Sequence, residues 1–404
     1  MQTAPDQPPR SPLRYALAPL FLLLAAGAVL LHHSLQPEEA AGVLSSVTAE
    51  TLRGVGKQPA GPQPNPNRLI VTTDASGPAS AQAEQSAVIA GGRVDMRFTS
   101  GSTTIEVVEF PDSSTAAAYR YTAGRSSWAR TVEVDLPRYS IPADPSPDAG
   151  RRQLAESTPW GIRKVYEGQG EGQGVPDASY FPSEVTHPVC IIDSGYAITH
   201  PDLPDATAAD PSQANPAGRF YFGADICAHG THVAGTIAAI GGNGEGVVGV
   251  YPGAPDLEIV KVFGASDLTS DENSCNWAYS STILAAVQHC VDSGAKIVSM
   301  SLGGSYTMMS EQQAYQRYFD DDGILFIAAA GNDGTTGYSY PASYSAVMSV
   351  GATDSSDTRA YFSQYNDQVD IAAPGVNIES TYGAPRGTEP PPFSPPAHTA
   401  VIGD

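Results

Sequence analysis

The stretch Ala228-His229-Gly230-Thr231-His232-Val233-Ala234-Gly235-Thr236 decides how the rest of the chain is read. It places a histidine at the mouth of a small-residue helix. Small side chains at Gly230, Ala234 and Gly235 let that helix press against a neighbouring backbone. The unperturbed pKa of histidine lies near ~6.5, so His229 can move a proton near neutral pH. His232, three residues on, reads as a packed helix histidine.

Around this stretch the texture is α/β. Residues 189–193 form an apolar run ending in Asp193, and similar runs recur at 257–263, 296–302, 324–330, 346–351 and 369–373. Helices are expected at 310–319 and at 280–293. In the second, Ile283, Val287 and Val291 repeat at i, i+4, i+8, Ser280 or Ser281 caps the start and Gly294 stops the end. Strands that are apolar throughout and alternate with helices predict a doubly wound, mostly parallel sheet covered on both faces. In such sheets a site lies beyond the carboxyl ends of the strands. Three ends are unusual: Asp193-Ser194-Gly195, Ser301-Leu302-Gly303-Gly304 and Ala329-Ala330-Gly331-Asn332. Glycine at a strand end lets another backbone come close, so an extended peptide could add there as a strand.

The chain has 404 residues and a formal charge of −22. Residues 153–404 carry 8 Lys and Arg against 29 Asp and Glu, which argues against nucleic acid as a partner. Arg10 and Arg14 precede an uncharged run over residues 15–31, the pattern of an export signal. Ala26-Gly27-Ala28 offers a cleavage site, and the alternative is an uncleaved membrane anchor through 15–31 with the body outside. The organisation expected is signal peptide or anchor 1–35, linker 36–67, a small α+β unit 68–136, a Pro-rich linker 137–157, an α/β domain 158–383 and a divergent Pro-rich tail 384–404. In the α+β unit, strands are expected at 68–73, 105–110 and 131–135, with a helix at 114–121 capped by Ser114. The pair Arg151-Arg152 lies between two domain-like blocks, which points to a processing site; the alternative is a solvated charge pair.

A histidine oriented by a carboxylate is a general base, the carboxylate fixing its tautomer. Asp193 and His229 suit these parts. Asn332, after a glycine, suits donation to a developing oxyanion. The segments Ile191-Ile192-Asp193-Ser194-Gly195, His229-Gly230-Thr231-His232, Ser301-Leu302-Gly303-Gly304 and Ala330-Gly331-Asn332 together resemble the signature blocks of the subtilisin-like serine proteases. The resemblance runs from about residue 158 to 382 and implies an exported serine endopeptidase made as a zymogen and acting on protein or peptide substrates. It implies Asp193, His229 and Asn332 as catalytic residues, and Ser301, Leu302, Gly303, Ala330 and Gly331 as the substrate-binding edge. The unit at 68–136 resembles the family's propeptide, an intramolecular inhibitor. A secreted or membrane-anchored monomer with no organic cofactor is expected.

The resemblance also implies structural calcium. The matching carboxylate is Asp202, and the loop Ile240-Gly241-Gly242-Asn243-Gly244-Glu245-Gly246 would supply Ile240, Asn243 and Glu245; the alternative is a plain Gly-rich turn. Four cysteines allow three connectivities. The favoured one pairs Cys275 with Cys290, which flank one helix, and Cys190 with Cys227; four buried thiols are the alternative.

One part of the pattern breaks. The family places its serine in a Gly-Thr-Ser block opening a helix after an Ala-Pro-Gly segment, matched here by Ala373-Pro374-Gly375. Here Gly387-Thr388 is followed by Glu389-Pro390, and Ser394 stands before Pro395, a setting unsuited to opening a helix. The expectation is a C-terminally truncated peptidase domain, the alternative a non-catalytic relative that binds peptides or inhibits. An esterase elbow, Gly-x-Ser-x-Gly, is not apparent, and the loop 241–246 lacks the lysine of a phosphate loop.

Overall fold

A computed structural model describes residues 64–141, 155–167, 188–204, 207–208, 225, 227–253, 257–264, 275–382 and 398–402. Its centre is a seven-stranded sheet in which every pairing is parallel. The strands are β6 (Val189–Asp193), β7 (Thr207–Ala208), β8 (Leu257–Lys261), β10 (Ile297–Met300), β12 (Leu325–Ala329), β13 (Val347–Thr353) and β14 (Ile371–Pro374), in the order β14-β13-β12-β10-β6-β8-β7. Side chains alternate across a strand. In β6, Ile191 enters one core while Cys190 and Ile192 enter the other. One core is closed by α4 (His229–Ala238), through Ala234 and Ala238. The other is closed by α5 (Ser280–Asp292) and α6 (Met309–Asp322). The doubly wound arrangement is thus the physical consequence of strands that are apolar on both faces.

The order reverses between β6 and β10, so the crevice at their carboxyl ends is the switch point of the sheet. Asp193 ends β6, and Ser301 follows β10 directly.

The N-terminal α+β unit is a four-stranded antiparallel sheet, ordered β2-β3-β1-β4. Its strands are β1 (Arg68–Asp74), β2 (Arg93–Ser100), β3 (Thr103–Glu109) and β4 (Ala129–Val134). Helices α1 (Ala79–Ile89) and α2 (Ser113–Ala123) cover one face over Leu69, Val71 and Val108. The other face, with Ile70, Ile105 and Val107, joins the core under α5 and α6. Helix α1 and strand β2 escape the sequence reading, because α1 buries only Ala83 and Ala87 and shows no apolar stripe.

Several expectations need correction. Helix α2 is capped by Asp112, whose Oδ1 accepts from the Thr115 amide at 2.8 Å; Ser114 is not the cap. Neither Ser280 nor Ser281 caps α5. The Ser281 amide donates instead to Asp135 of the N-terminal unit at 3.0 Å, and the Ser281 hydroxyl to the same carboxylate at 2.6 Å. Glu133 does the same for α6, accepting from the Met309 and Ser310 amides at 2.9 and 2.7 Å. Carboxylates at helix N-termini satisfy orphan amides and complement the helix dipole.

The stretch read as a linker from residue 137 begins as a strand. β5 (Pro137–Ser140) lies between β9 (Trp277–Tyr279) and β11 (Leu302–Gly303) in a three-stranded antiparallel sheet. Within the stretch read as tail, β16 (His398–Ile402) pairs antiparallel with β15 (Ile378–Tyr382). A short helix, α3 (Trp160–Val165), opens the α/β domain.

The expected cysteine pairing is replaced by Cys190–Cys290 and Cys227–Cys275. Cys275 precedes β9 whereas Cys290 lies in the last turn of α5, so the rigid helix holds them apart; its rise of ~1.5 Å per residue far exceeds the reach of a disulfide. Cys290 faces Cys190 of β6 across the core, with a Cα–Cα distance of 5.7 Å. Among the described residues no helix is long and apolar enough to cross a membrane. The run at 15–31, the pair Arg151-Arg152 and the tail segment with Ser394 lie outside the described residues.

Candidate active site

Helix α4 begins under tight local control. Ala228 takes a left-handed conformation with φ 63° and offers no capping side chain. Its place is taken by Asp225, fully buried, whose Oδ1 accepts from the Ala228 amide at 2.9 Å and whose Oδ2 accepts from the Thr231 amide at 2.8 Å. Ser194 donates to the same carboxylate at 2.9 Å and accepts from the Gly230 amide at 2.8 Å. The helix mouth is thereby tied to the end of β6. A Cβ on Gly230 would stand 2.3 Å from the Gly195 carbonyl, so only glycine allows this approach.

The result brings the first two expected residues together. His229 Nδ1 lies 2.8 Å from Asp193 Oδ1, and Asp193 is wholly buried. The same oxygen accepts from the Ser194 amide at 2.7 Å. Burial opposes the imidazolium, but the negative charge of Asp193, its hydrogen bond, Asp225 and the Ile141 backbone outweigh it and raise the His229 pKa. His232 goes the other way. Burial, then the neighbouring His229, lowers it to about 3, and its Nε2 meets the Ile378 carbonyl at 3.2 Å. It is a neutral packing residue. Lys261, buried below the dyad, donates to the Ser194 carbonyl at 2.8 Å; burial lowers its pKa against the pull of Asp225 and Asp193.

His229, Ser301, Ala330, Gly331 and Asn332 line one cavity of ≈ 330 Å³. Gly331 has φ +108°, and a Cβ there would stand 2.8 Å from Gln364 Nε2, which explains a glycine just before Asn332. Leu302 and Gly303 lie outside the cavity wall but on the same edge, as β11. They pair with Ser140 and Tyr139 of β5. One residue further, the Ile141 amide donates to the Ser301 carbonyl at 3.1 Å. Ile141 then reaches the cavity that His229 lines, and its backbone is among the groups that raise the His229 pKa. The chain therefore carries an extended segment of itself through its own cleft and up to the dyad.

The calcium candidates form a separate cluster. The loop at 240–247 wraps Asp202: Asn243 Nδ2 donates to Oδ1 and the Val247 amide to Oδ2, both at 2.8 Å, and the Ile240 amide bonds the Asp202 carbonyl at 3.1 Å. Burial, with Glu156 and Glu245 nearby, pushes the Asp202 carboxyl up to about 6. A cation would relieve that crowding, and carboxylate, amide and carbonyl oxygens are the donors calcium takes. Among the described residues no three acidic, His or Cys side chains converge as a metal cluster.

Sequence reading missed Asp225, Ser194, Lys261 and Ile141. Asp225, three residues before Ala228, carries a cap signal that could have found it; the other three act through tertiary contacts.

Residues 186–397 match the model of Peptidase S8, the subtilase family. The alkaline protease of Alkalihalobacillus alcalophilus is 38% identical over 235 residues, which are 58% of this chain and 55% of that protein. Subtilisin Savinase of Lederbergia lenta is 38% identical over 228 residues, 56% of this chain and 76% of its own length. Fervidolysin from Fervidobacterium pennivorans, a keratinolytic enzyme related to subtilisin, shares the fold with a TM-score of 0.62 at 23% identity, covering 86% of this chain and 54% of that one. The chain thus spans about half the length of the alkaline proteases it matches. With the paired Asp193 and His229 at the switch point of a parallel sheet, these likenesses establish that the chain belongs to the subtilase family of serine proteases.

Proposed function

We propose that the protein is an exported serine-type endopeptidase precursor whose N-terminal unit inhibits its own cleft. The observation that carries this reading is β5, seated as an antiparallel strand between β9 and β11 with Ile141 against His229. Asp193 fixes the Nδ1 proton of His229 and stabilises the imidazolium, so that Nε2 accepts a proton from a nucleophile and returns it to a leaving amine. Asn332 donates to the oxyanion that forms at the substrate carbonyl. The substrate is an extended peptide held by main-chain bonds to Ser301, Leu302 and Gly303. Asp135 and Glu133 anchor the N-terminal unit on α5 and α6, which keeps β5 at high local concentration over the cleft. Export rests on the charged flank and apolar run before residue 32. Calcium, held by Asp202 with Asn243 and the Ile240 carbonyl, would brace the loop that packs at the end of α4.

Gly387-Thr388 is followed by Glu389, which favours a second reading: a relative that binds peptides in this cleft without turning them over. A fluorophosphonate probe on the full chain separates the two. Labelling abolished by His229→Ala supports the peptidase. A folded chain that binds peptide and takes no label supports the binding protein.

A further inference from the structure

Arg138 is the second residue of β5 and is wholly buried, as is its partner Glu311 in α6. Arg138 Nε donates to Glu311 Oε1 at 3.1 Å, Nη2 pairs with Oε2, and Nη2 also meets the Tyr306 carbonyl at 3.0 Å. Glu311 is itself held in place. Tyr344 Oη donates to its Oε2 at 2.8 Å, and the Ser280 hydroxyl to its Oε1. A Cβ on Gly304 would stand 3.2 Å from Arg138 Nη1, so the glycine leaves the wall flat where the guanidinium passes.

These groups do not depend on the N-terminal unit. Tyr306, Glu311, Tyr344, Ser280 and Gly304 all belong to the α/β domain. Any extended chain that repeats the pairing of Tyr139 and Ser140 with Gly303 and Leu302 brings its corresponding side chain to the same place. We infer that the cleft has a built subsite for arginine, three residues before the residue that reaches the cavity at His229, and that Glu311 selects it. This rests on the peptide-cleft reading above. Two guanidinium nitrogens on two carboxylate oxygens favour arginine over lysine. An uncharged side chain would leave Glu311 buried without a cation, which is strongly unfavourable. The substrate class is a peptide with arginine at that position, and Arg138 is the chain's own copy of it.

The test is a double-mutant cycle on the full chain, read by amide exchange at Ser140 and Ile141. Arg138→Met and Glu311→Gln should each speed exchange by at least about thirtyfold, and the double variant should lie much closer to the parent than the sum of the two. Additive effects overturn the proposal, and if Arg138→Met alone fails to fold, Arg138→Gln, which keeps a hydrogen bond to Glu311, takes its place in both arms. A second arm adds labelled Pro-Arg-Tyr-Ser-Ile, or the same peptide with citrulline for arginine, to the double and to the Arg138→Met chain. Tighter binding of the arginine peptide by at least about thirtyfold to Arg138→Met, lost in the double variant, supports the subsite. Equal binding of both peptides overturns the subsite and leaves the cleft reading standing. No binding of either peptide overturns both, leaving the ion pair as an intrachain lock alone.

Discussion

Nδ1 of His229 stands 2.8 Å from Oδ1 of Asp193, across the gap between the end of β6 and the start of α4. The two residues are thirty-six positions apart, and both backbones are fixed by glycine contact and by the Asp225 network rather than by each other. The pair is therefore positioned by the surrounding fold, through the buried Asp225 and Ser194 contacts, and not by the hydrogen bond between its own members alone.

Asp193→Asn should lower the pKa of His229, seen directly by NMR titration of its ring. In the parent the folded pKa is raised above the unfolded ~6.5. The stability this contributes is complete below that value and is lost as pH rises through the folded pKa. The variant should therefore lose most stability near pH 5 to 6 and least near pH 9. An unchanged His229 titration would contradict the pairing.

Asp225→Ala should destabilise the chain by ~2–4 kcal/mol in urea melts. The variant strips acceptors from the Ala228 and Thr231 amides and from the Ser194 hydroxyl, all buried. Circular dichroism should show the loss concentrated in helix signal. A change below ~0.5 kcal/mol would mean that Asp225 is not the cap of α4.

Non-reducing digestion and mass mapping should recover Cys190 linked to Cys290 and Cys227 linked to Cys275. The first closes a loop with a sequence separation of 100 residues. Cys190→Ala with Cys290→Ala should cost ~2–5 kcal/mol. A peptide joining Cys275 to Cys290 would refute the arrangement.

Calcium should raise the melting temperature more at pH 8 than at pH 5. The Asp202 carboxyl is pushed up to about 6 when folded, so the cation-free chain binds that proton more tightly than the unfolded chain does. Its stability accordingly falls as pH rises from ~4 through ~6. Calcium competes with the proton and offsets the loss. Asp202→Asn should abolish the pH dependence of the calcium effect, and melts that ignore calcium at every pH would remove the ion from the protein.

Much of the α/β domain was legible because its signals are local. Runs such as Cys190-Ile191-Ile192 are apolar on both faces and can only be the middle of a covered sheet. Asp193, Ser301 and Asn332 stand at strand ends, where the switch point gathers them. Pro137-Arg138-Tyr139-Ser140 has no strand pattern of its own; it is extended because β9 and β11 offer unpaired edges on both sides. The cap of α5 is misassigned to Ser280 or Ser281, and the partner of the α6 N-terminus is invisible, for a related reason. Asp135 and Glu133 arrive from another part of the chain, and no local pattern around Ser281 or Ser310 announces them.

The family, the parallel sheet and the small-residue helix are legible in the sequence, since each is written in a short contiguous pattern with one physical solution, and the same patterns single out Asp193 and His229. Which cysteines pair, which strand lies beside β11 and which group faces the buried Arg138 emerge only from the folded chain. Those outcomes depend on distances between segments far apart in the chain, and such distances exist only once the hydrophobic cores on both faces of the sheet have closed.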